Sequence, residues 1–298
     1  NKGCEINKFI NDHKKTFQLI NIKKFAPEKV NFTQFCGIDG FINLNNFERE
    51  EKIGASEFSK VYKIKKKGSN VEYAAKVSKI EMDLVSKDNT DNISKEVSIL
   101  SKLKHPSIQQ TFGYSLLNFK NDQKPVIITE LSSNGTLEDI LAIERKGEII
   151  KDWNDTKDLI IIFGIASSMS YLHSYNILHR NLKPTNIIID NNYYPKIADF
   201  GYYIQSYVDK TMTHHATIGV KRNPEYSAPE VLNGNEFIKS SDVYSFAMIV
   251  YELITKTKVF NEYKNYLSFI KNVVNGQKRP KIDSSIPECY KELMEKCW

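Results

Sequence analysis

The distribution of apolar residues divides the chain into a part rich in short strands and a part rich in helices. Three short apolar runs separated by polar turns, at residues 47–54, 58–65 and 71–77, predict an antiparallel sheet. Apolar positions recur at helical spacing over 92–103, which predicts one amphipathic helix. The apolar run 126–131 is short and uninterrupted, and it predicts a buried strand.

The rest of the chain is predicted to be mostly helical, most clearly over residues 153–173 and 240–255. A β-rich first part followed by an α-rich second part predicts an α+β fold with two lobes. The N-lobe would be a small antiparallel β-sheet with one main helix, and the C-lobe would be larger and mostly helical. Because ligand sites favour such junctions, we expect the functional site in the cleft between the lobes.

Residues 1–46 follow a different pattern, with scattered apolar positions, Pro27 and an irregular stretch, which predicts a helix or two and a linker. We therefore divide the chain into an N-terminal extension or linker, 1–46, and a main domain, 47–298. The extension is either a regulatory segment docked on the domain or the tail of an upstream region. A helix-like stretch runs up to Trp298, so we expect the C-lobe to continue beyond it.

Composition narrows the function classes. The chain has 42 basic and 36 acidic residues, a net charge of +6, and the lysines are spread out, which disfavours nucleic-acid binding. No apolar run approaches the ~18 residues of a membrane span, since 159–166 is short and contains Gly164. The cysteines form no C-x-x-C pair, so we expect reduced thiols in a cytoplasmic protein; they are Cys4, Cys36, Cys289 and Cys297.

One run of residues carries most of the chemical information. It reads His179-Arg180-Asn181-Leu182-Lys183-Pro184-Thr185-Asn186, and it resembles the catalytic loop of protein kinases, H-R-D-L-x-x-x-N. Every fixed position of that pattern is kept except the aspartate, which accepts the proton of the substrate hydroxyl in the family. Asn181 stands at that position, and a carboxamide cannot take up a proton at neutral pH.

Four further motifs follow the order of the same family. They are a loop that begins at Gly54, Ala74-Ala75-Lys76 at the end of a strand, Asp199-Phe200-Gly201 after another, and Ala228-Pro229-Glu230. The resemblance to protein kinases extends from Phe47 to the C-terminus. Lys183 is similar to the pattern of the serine/threonine and tyrosine-kinase-like groups, and the stretch from Ser241 to Thr255 and the terminal Cys297-Trp298 resemble the tyrosine-kinase-like group.

The resemblance implies that the cleft binds ATP and Mg²⁺, with a protein as substrate or binding partner. Lys76, held by Glu96, would bind phosphates, and Asn186 and Asp199 would bind the metal. Lys183 would act beside Asn181 in the catalytic loop. The residues implied around the nucleotide are Ile53, Gly54, Val61, Ala74, the gatekeeper Thr129, the hinge residues Glu130 and Leu131, and Ile188.

The chain departs from the family pattern at several positions besides Asn181. Only the first glycine of the phosphate-covering loop is present, and Ser56 and Ser59 follow it. Arg222-Asn223 stands where serine/threonine kinases usually carry Gly-Thr, whose hydroxyl bonds the catalytic aspartate. The resemblance also implies an apolar stack in which Thr111 is an unexpected polar member and Asp242 anchors His179. The members of this stack are Leu100, Thr111, His179 and Phe200.

Two function classes remain open on this sequence. The first is a pseudokinase, a nucleotide-gated binding module with absent or vestigial phosphoryl transfer; the second is an active serine/threonine protein kinase. General-base help contributes about 10²- to 10⁴-fold in rate, yet positioning and charge neutralisation do most of the work in phosphoryl transfer. The hydroxyl residues Tyr207, Thr211, Thr213 and Thr217 are either phosphorylation sites, whose phosphate Arg180 would bind, or merely exposed. The pair His214-His215 has no spaced set of further metal ligands, so we do not expect a metal site there.

Overall fold

The structure, a computed structural model, describes residues 40–56, 58–82, 97–132, 134–199, 223–263 and 265–298. The N-lobe is a five-stranded antiparallel sheet with the strand order β1-β2-β3-β5-β4. Its strands are β1 (Phe47–Ala55), β2 (Ser59–Lys66), β3 (Glu72–Ser78), β4 (Thr111–Ser115) and β5 (Val126–Glu130). Helix α1 covers residues 97–102 within the described part of the chain. The predicted two-lobed α+β fold is confirmed.

The C-lobe packs its helices around one apolar core. In the described part these helices are α2 (Leu137–Arg145), α3 (Asp155–Ser174), α4 (Pro229–Leu232), α5 (Lys239–Thr255), α6 (Tyr266–Ile270) and α7 (Glu288–Cys297), and a π-helical turn, Lys271–Asn275, follows α6. Residues 241–253 of α5 are all buried, so this helix lies in the centre of the lobe. The strands β6 (Ile187–Ile189) and β7 (Pro195–Ile197) form a hairpin.

Where the structure describes their starts, the predicted strands and helices begin within two residues of the predicted positions, and capping side chains fix the starts of two helices. The third strand begins at Glu72 rather than at residue 71, and β2 begins at Ser59 rather than at residue 58. The long helix predicted from residue 153 begins two residues later, because the Asn154 side chain accepts the Lys157 N–H and caps the helix. Helix α2 begins with a capping box between Thr136 and Asp139.

Gly164 allows α3 to approach β7 closely. A Cβ at this position would lie 2.4 Å from the Pro195 ring and 2.9 Å from the Ser107 hydroxyl. The glycine that interrupts the apolar pattern of α3 is therefore a packing requirement. Within the described ranges, no helix combines the length and the apolar composition needed to cross a bilayer.

Candidate active site

A buried carboxylate of the C-lobe holds the start of the predicted catalytic loop. Asp242, at the beginning of α5, accepts the His179 N–H at 2.9 Å and the Arg180 N–H at 2.8 Å, and its carboxylate also contacts His173 Nε2 at 3.0 Å. These bonds hold Arg180 at a φ of 64°, a left-handed conformation that is uncommon for a residue with a side chain. The predicted anchoring of His179 by Asp242 is confirmed.

From His179, hydrogen bonds lead to the segment that carries Asp199. The His179 ring contacts the Ala198 carbonyl through Nε2 at 3.1 Å. The Ala198 N–H donates to the carbonyl of Asn186 at 2.9 Å, so the two predicted metal ligands, Asn186 and Asp199, lie on directly bonded segments. Burial lowers the pKa of His179, so the imidazole is neutral near pH 7.

Lys76 and Asp199 form an ion pair across the cleft. Burial on its own raises the pKa of Asp199, but the charge and the hydrogen bond of Lys76 outweigh it and hold that pKa below its ordinary value. Asp199 itself has a φ of 59°, again left-handed. Glu96, the predicted partner of Lys76, lies outside the described residues, and the partner that the structure gives to Lys76 is Asp199.

The donor set around Asp199 fits a hard cation such as Mg²⁺. The Asn186 Nδ2 donates to the Asn181 carbonyl at 2.6 Å, which orients the amide and leaves its Oδ1 as an acceptor. Carboxylate and amide oxygens are the ligands that Mg²⁺ prefers. Asn186 and Asp199 would supply two of the ligands. Among the described residues no cluster of three or more His, Cys, Asp or Glu side chains is placed to hold a metal.

The turn between β1 and β2 closes on itself through two serines. The hydroxyls of Ser56 and Ser59 are 2.8 Å apart, the Ser59 N–H donates to Ser56 Oγ at 3.1 Å, and the Ser56 N–H donates to the Ser59 carbonyl at 2.9 Å. Lys79 Nζ also donates to the Ser56 carbonyl. Both amides are therefore used within the turn. A Cβ on Gly54 would meet only Val61, at 3.8 Å, so this end of the turn is open.

The residues predicted to lie around the nucleotide come from both lobes. Gly54 pairs with Val61 between β1 and β2, and Ala74 pairs with Thr129 between β3 and β5. Ala74 is buried, Val61, Thr129, Leu131 and Ile188 are partly buried, and Ile53 is 45% exposed. Ile188 lies in the β6–β7 hairpin of the C-lobe and forms a bridge with Thr136. The predicted residues therefore come from β1, β2, β3, β5 and β6.

Glu130 has more partners than its predicted hinge role requires. Its carboxylate accepts the Gln110 N–H at 2.8 Å and Lys196 Nζ at 2.9 Å. Its carbonyl accepts the side-chain amide of Gln109 at 3.1 Å. Gln109, Gln110 and Lys196 were not predicted as site residues, because they belong to no motif and their contacts with Glu130 join positions 20 or more apart.

The apolar stack is only partly described. Leu100, Thr111 and His179 are buried, with 8%, 5% and 1% exposure. Phe200, Gly201 and the hydroxyls and histidines of 207–217 lie outside the described residues.

A comparison with protein-family models identifies the domain. The model described as protein kinase domain matches residues 47–298. The chain belongs to the protein kinase family. Members of this family use ATP and Mg²⁺ in general, and the cleft of this kinase domain carries the positions predicted above to contact nucleotide and metal.

Curated relatives of the kinase domain come from Dictyostelium discoideum. The chain is 31% identical over 258 residues to the dual specificity protein kinase shkB, and the match covers 86% of this chain and 37% of shkB. It is 33% identical over 260 residues to the dual specificity protein kinase shkA, covering 86% and 46%. The chain therefore spans less than half the length of these relatives.

The two substituted positions, Asn181 and Asn223, form backbone hydrogen bonds within their own segments. The Asn181 backbone N–H donates to His179 Nδ1 at 3.2 Å, and its carbonyl accepts from Asn186. Asn223 precedes a 3-10 turn, Pro224–Tyr226, and its carbonyl accepts the Tyr226 N–H at 3.3 Å. Among the hydrogen bonds of the described residues, none joins the side chains of Asn181 and Asn223.

Proposed function

We propose that the cleft binds ATP with Mg²⁺. The ion pair of Lys76 with Asp199 supports this, because it gathers the phosphate-binding cation and a metal-binding carboxylate at one point. Asn186 adds an oriented amide oxygen on a directly bonded segment. When bound, Mg²⁺ supplies neutralisation of phosphate charge. Lys76 then orients the phosphates, while Thr129, Glu130 and Leu131 form one side of the base site.

We propose further that phosphoryl transfer is absent or vestigial and that the domain acts as a nucleotide-gated binding module for a protein partner. The observation that carries this proposal is Asn181 at the position of the catalytic base. Its amide can orient a hydroxyl but cannot accept the proton, and the loss of general-base help costs about 3 to 5 kcal/mol in the barrier. The Ser56–Ser59 turn supports the same conclusion, because it withholds two amides from the phosphates.

The alternative is an active serine/threonine kinase. Specific observations favour it: Lys76, Lys183, Asn186 and Asp199 are all present, and the relatives shkA and shkB are named dual specificity protein kinases. Phosphoryl transfer depends mostly on positioning and charge neutralisation, which these residues can supply without a base. The two functions differ in the rate of transfer, so a rate measurement separates them.

The test is γ-phosphate transfer from ATP by the purified chain to a generic protein substrate, beside Asn181→Asp and the double variant Asn181→Asp/Asn223→Thr. We expect the wild type to bind ATP and to transfer far below the ordinary ~1 to 100 per second. Asn181→Asp should raise the rate, and the double variant should raise it further because the threonine hydroxyl can support the new carboxylate. Wild-type transfer at ordinary kinase rates would overturn the pseudokinase proposal.

A further inference from the structure

Residues just before the matched domain pair with the edge of the N-lobe sheet. Phe41 forms a parallel bridge with Tyr114 of β4. The Tyr114 N–H donates to the Gly40 carbonyl at 2.7 Å, and the Ile42 N–H donates to the Tyr114 carbonyl at 2.7 Å. The Phe41 ring meets the Tyr114 ring edge-on, with 6.1 Å between centroids. The segment Gly40–Ile42 thus adds a short strand to an otherwise open edge.

A glycine in β4 makes room for this segment. A Cβ on Gly113 would lie 2.2 Å from the Gly40 carbonyl oxygen and 2.7 Å from the Ile42 side chain. Distances this short between non-bonded atoms do not occur, so the segment cannot dock in this way on a strand with any other residue at position 113. Ile42 also packs against the buried cluster that contains Leu44, which fixes the segment from the other side.

The docked segment reaches α1 through Tyr114, which it holds by two hydrogen bonds and a ring contact. The space beside Gly40 is also bounded by α1, because a Cβ added to Gly40 would lie 3.7 Å from Val97 Cγ1. Val97, Tyr114, Met82 and Ile127 form one buried cluster. Ile127 is the register partner of Lys76 between β5 and β3. A continuous set of packed residues therefore joins Gly40 to Lys76.

We propose that the edge of β4 is a docking site whose occupant is this chain's own segment Gly40–Ile42, and that docking sets the position of α1 and thereby the affinity of the cleft for ATP. The nucleotide part of this inference rests on the proposed function. Docking acts on α1 through Tyr114, which packs with Val97 in one buried cluster, and Ile127 of the same cluster is the register partner of Lys76. The segment is thus part of the nucleotide-binding unit.

Two variants of the full chain displace the segment in different ways. Gly113→Ala places a methyl group against the Gly40 carbonyl, and Ile42→Pro removes the N–H that donates to Tyr114. The matched controls are Gly68→Ala and Ile42→Val, which keeps the N–H. Gly68, like Gly113, has a positive φ, 74° against 159°, so Gly68→Ala shares the backbone strain, but its added Cβ would meet no atom within 4 Å. Because Ile42 lies outside the β4 strand, Ile42→Pro remains informative if Gly113→Ala fails to fold.

The readouts are amide hydrogen exchange and ATP affinity measured by calorimetry. We expect both variants to accelerate exchange at Tyr114 and over 97–102 by at least about fivefold, the effect of losing one hydrogen bond, while amides of α5 serve as the internal reference. ATP affinity should fall by at least about fivefold, the lower end of ordinary coupling between sites. The controls should match the wild type.

Three outcomes contradict the inference. Unchanged exchange at Tyr114 in both variants means that the segment does not dock, and faster exchange at Tyr114 with unchanged exchange over 97–102 means that docking does not set the helix. Faster exchange at both places with an ATP affinity within twofold of wild type means that the helix does not set the cleft. A wild type without ATP binding defeats the proposed function instead, and the exchange data then still decide whether the segment positions α1.

Discussion

Lys76 of β3 and Asp199, two residues after β7, form an ion pair that joins the two lobes across the cleft. The pair brings together the cation predicted to bind phosphates and the carboxylate predicted to bind the metal, and the two charges neutralise each other. On the function proposed above, nucleotide and Mg²⁺ would each compete with this ion pair for one of its partners.

Lys76→Met should weaken stabilisation by ATP. At an ATP concentration of ~100 times Kd, the wild type gains about 2.7 kcal/mol in unfolding free energy. The variant loses the phosphate-binding cation, so we expect a clearly smaller rise in melting temperature at the same ATP and magnesium concentrations. Lys63→Met is the matched control, since Lys63 forms surface ion pairs with Glu50 and Glu72 in the same sheet. Equal shifts for both variants would contradict the role of Lys76.

Ser56→Gly should strengthen ATP binding. The change removes the hydroxyl that accepts the Ser59 N–H and so releases this amide for phosphate. A hydrogen bond to a charged group contributes about 1.5 to 3 kcal/mol, and the added backbone freedom of glycine costs about 0.5 to 1, which leaves about 1 kcal/mol or roughly fivefold in Kd. Titration calorimetry measures this, with Ser69→Gly in the β2–β3 turn as control. Weaker binding by Ser56→Gly would show that the serine turn itself holds the nucleotide.

His105 should make the protein less stable in mild acid. Burial and the nearby charge of Lys196 lower the pKa of His105 to about 4, while its Nδ1 accepts the Ser107 N–H. The unfolded chain takes up the proton near pH 6.5 and the folded chain does not, so this contribution is complete above pH 6.5 and is lost as the pH falls towards 4. We expect about 2 kcal/mol to be lost between pH 7.5 and 5.

Urea unfolding of the wild type and His105→Asn at both pH values measures this loss. The difference between the two proteins is the quantity of interest, because Asp158, whose burial raises its pKa to about 6, contributes in the opposite direction in both. The variant should lack most of the acid loss. A parallel pH dependence in the two proteins would mean that His105 is protonated in the fold.

Arg145→Met should destabilise the C-lobe strongly. Arg145 Nη2 lies 2.6 Å from a carboxylate oxygen of Glu252, which is fully buried, and Tyr226 donates to the other oxygen at 2.9 Å. Removing the cation leaves a buried charge, which costs about 3 to 5 kcal/mol. Lys291→Met, which breaks an exposed pair with Glu288, should cost less than about 0.5 kcal/mol. Denaturant unfolding compares the two, and similar small losses would mean that Glu252 is protonated.

The sequence predicted those parts of the site that follow from local order. The motifs around Lys76, Asn186 and Asp199 are short segments whose conformation is set by neighbouring residues in the sequence. The bounds of β1, β2 and β3 were predicted to within a residue or two. The long apolar segments 153–173 and 240–255 also predicted the helices α3 and α5. These features need no knowledge of which segments meet in space.

The relations that sequence could not supply are between distant segments or depend on side-chain orientation. The hydroxyl of Ser56 turns inward to Ser59 rather than outward, and no pattern of residue types decides that choice. Gln109 reaches the Glu130 carbonyl over 21 positions. Gly113 did carry a signal, because a glycine inside a strand often marks a close backbone approach, but β4 itself was not predicted.

The two backbone hydrogen bonds that Asp242 accepts from His179 and Arg180 predict how natural variants at position 242 behave. A substitution of Asp242 would release two backbone amides and, through the His179 ring, the carbonyl beside Asp199. We expect such a substitution to weaken the binding of metal and nucleotide, although the residue belongs to a helix in the centre of the C-lobe. Alleles at position 242 should therefore be grouped with those of the cleft and not with ordinary core alleles.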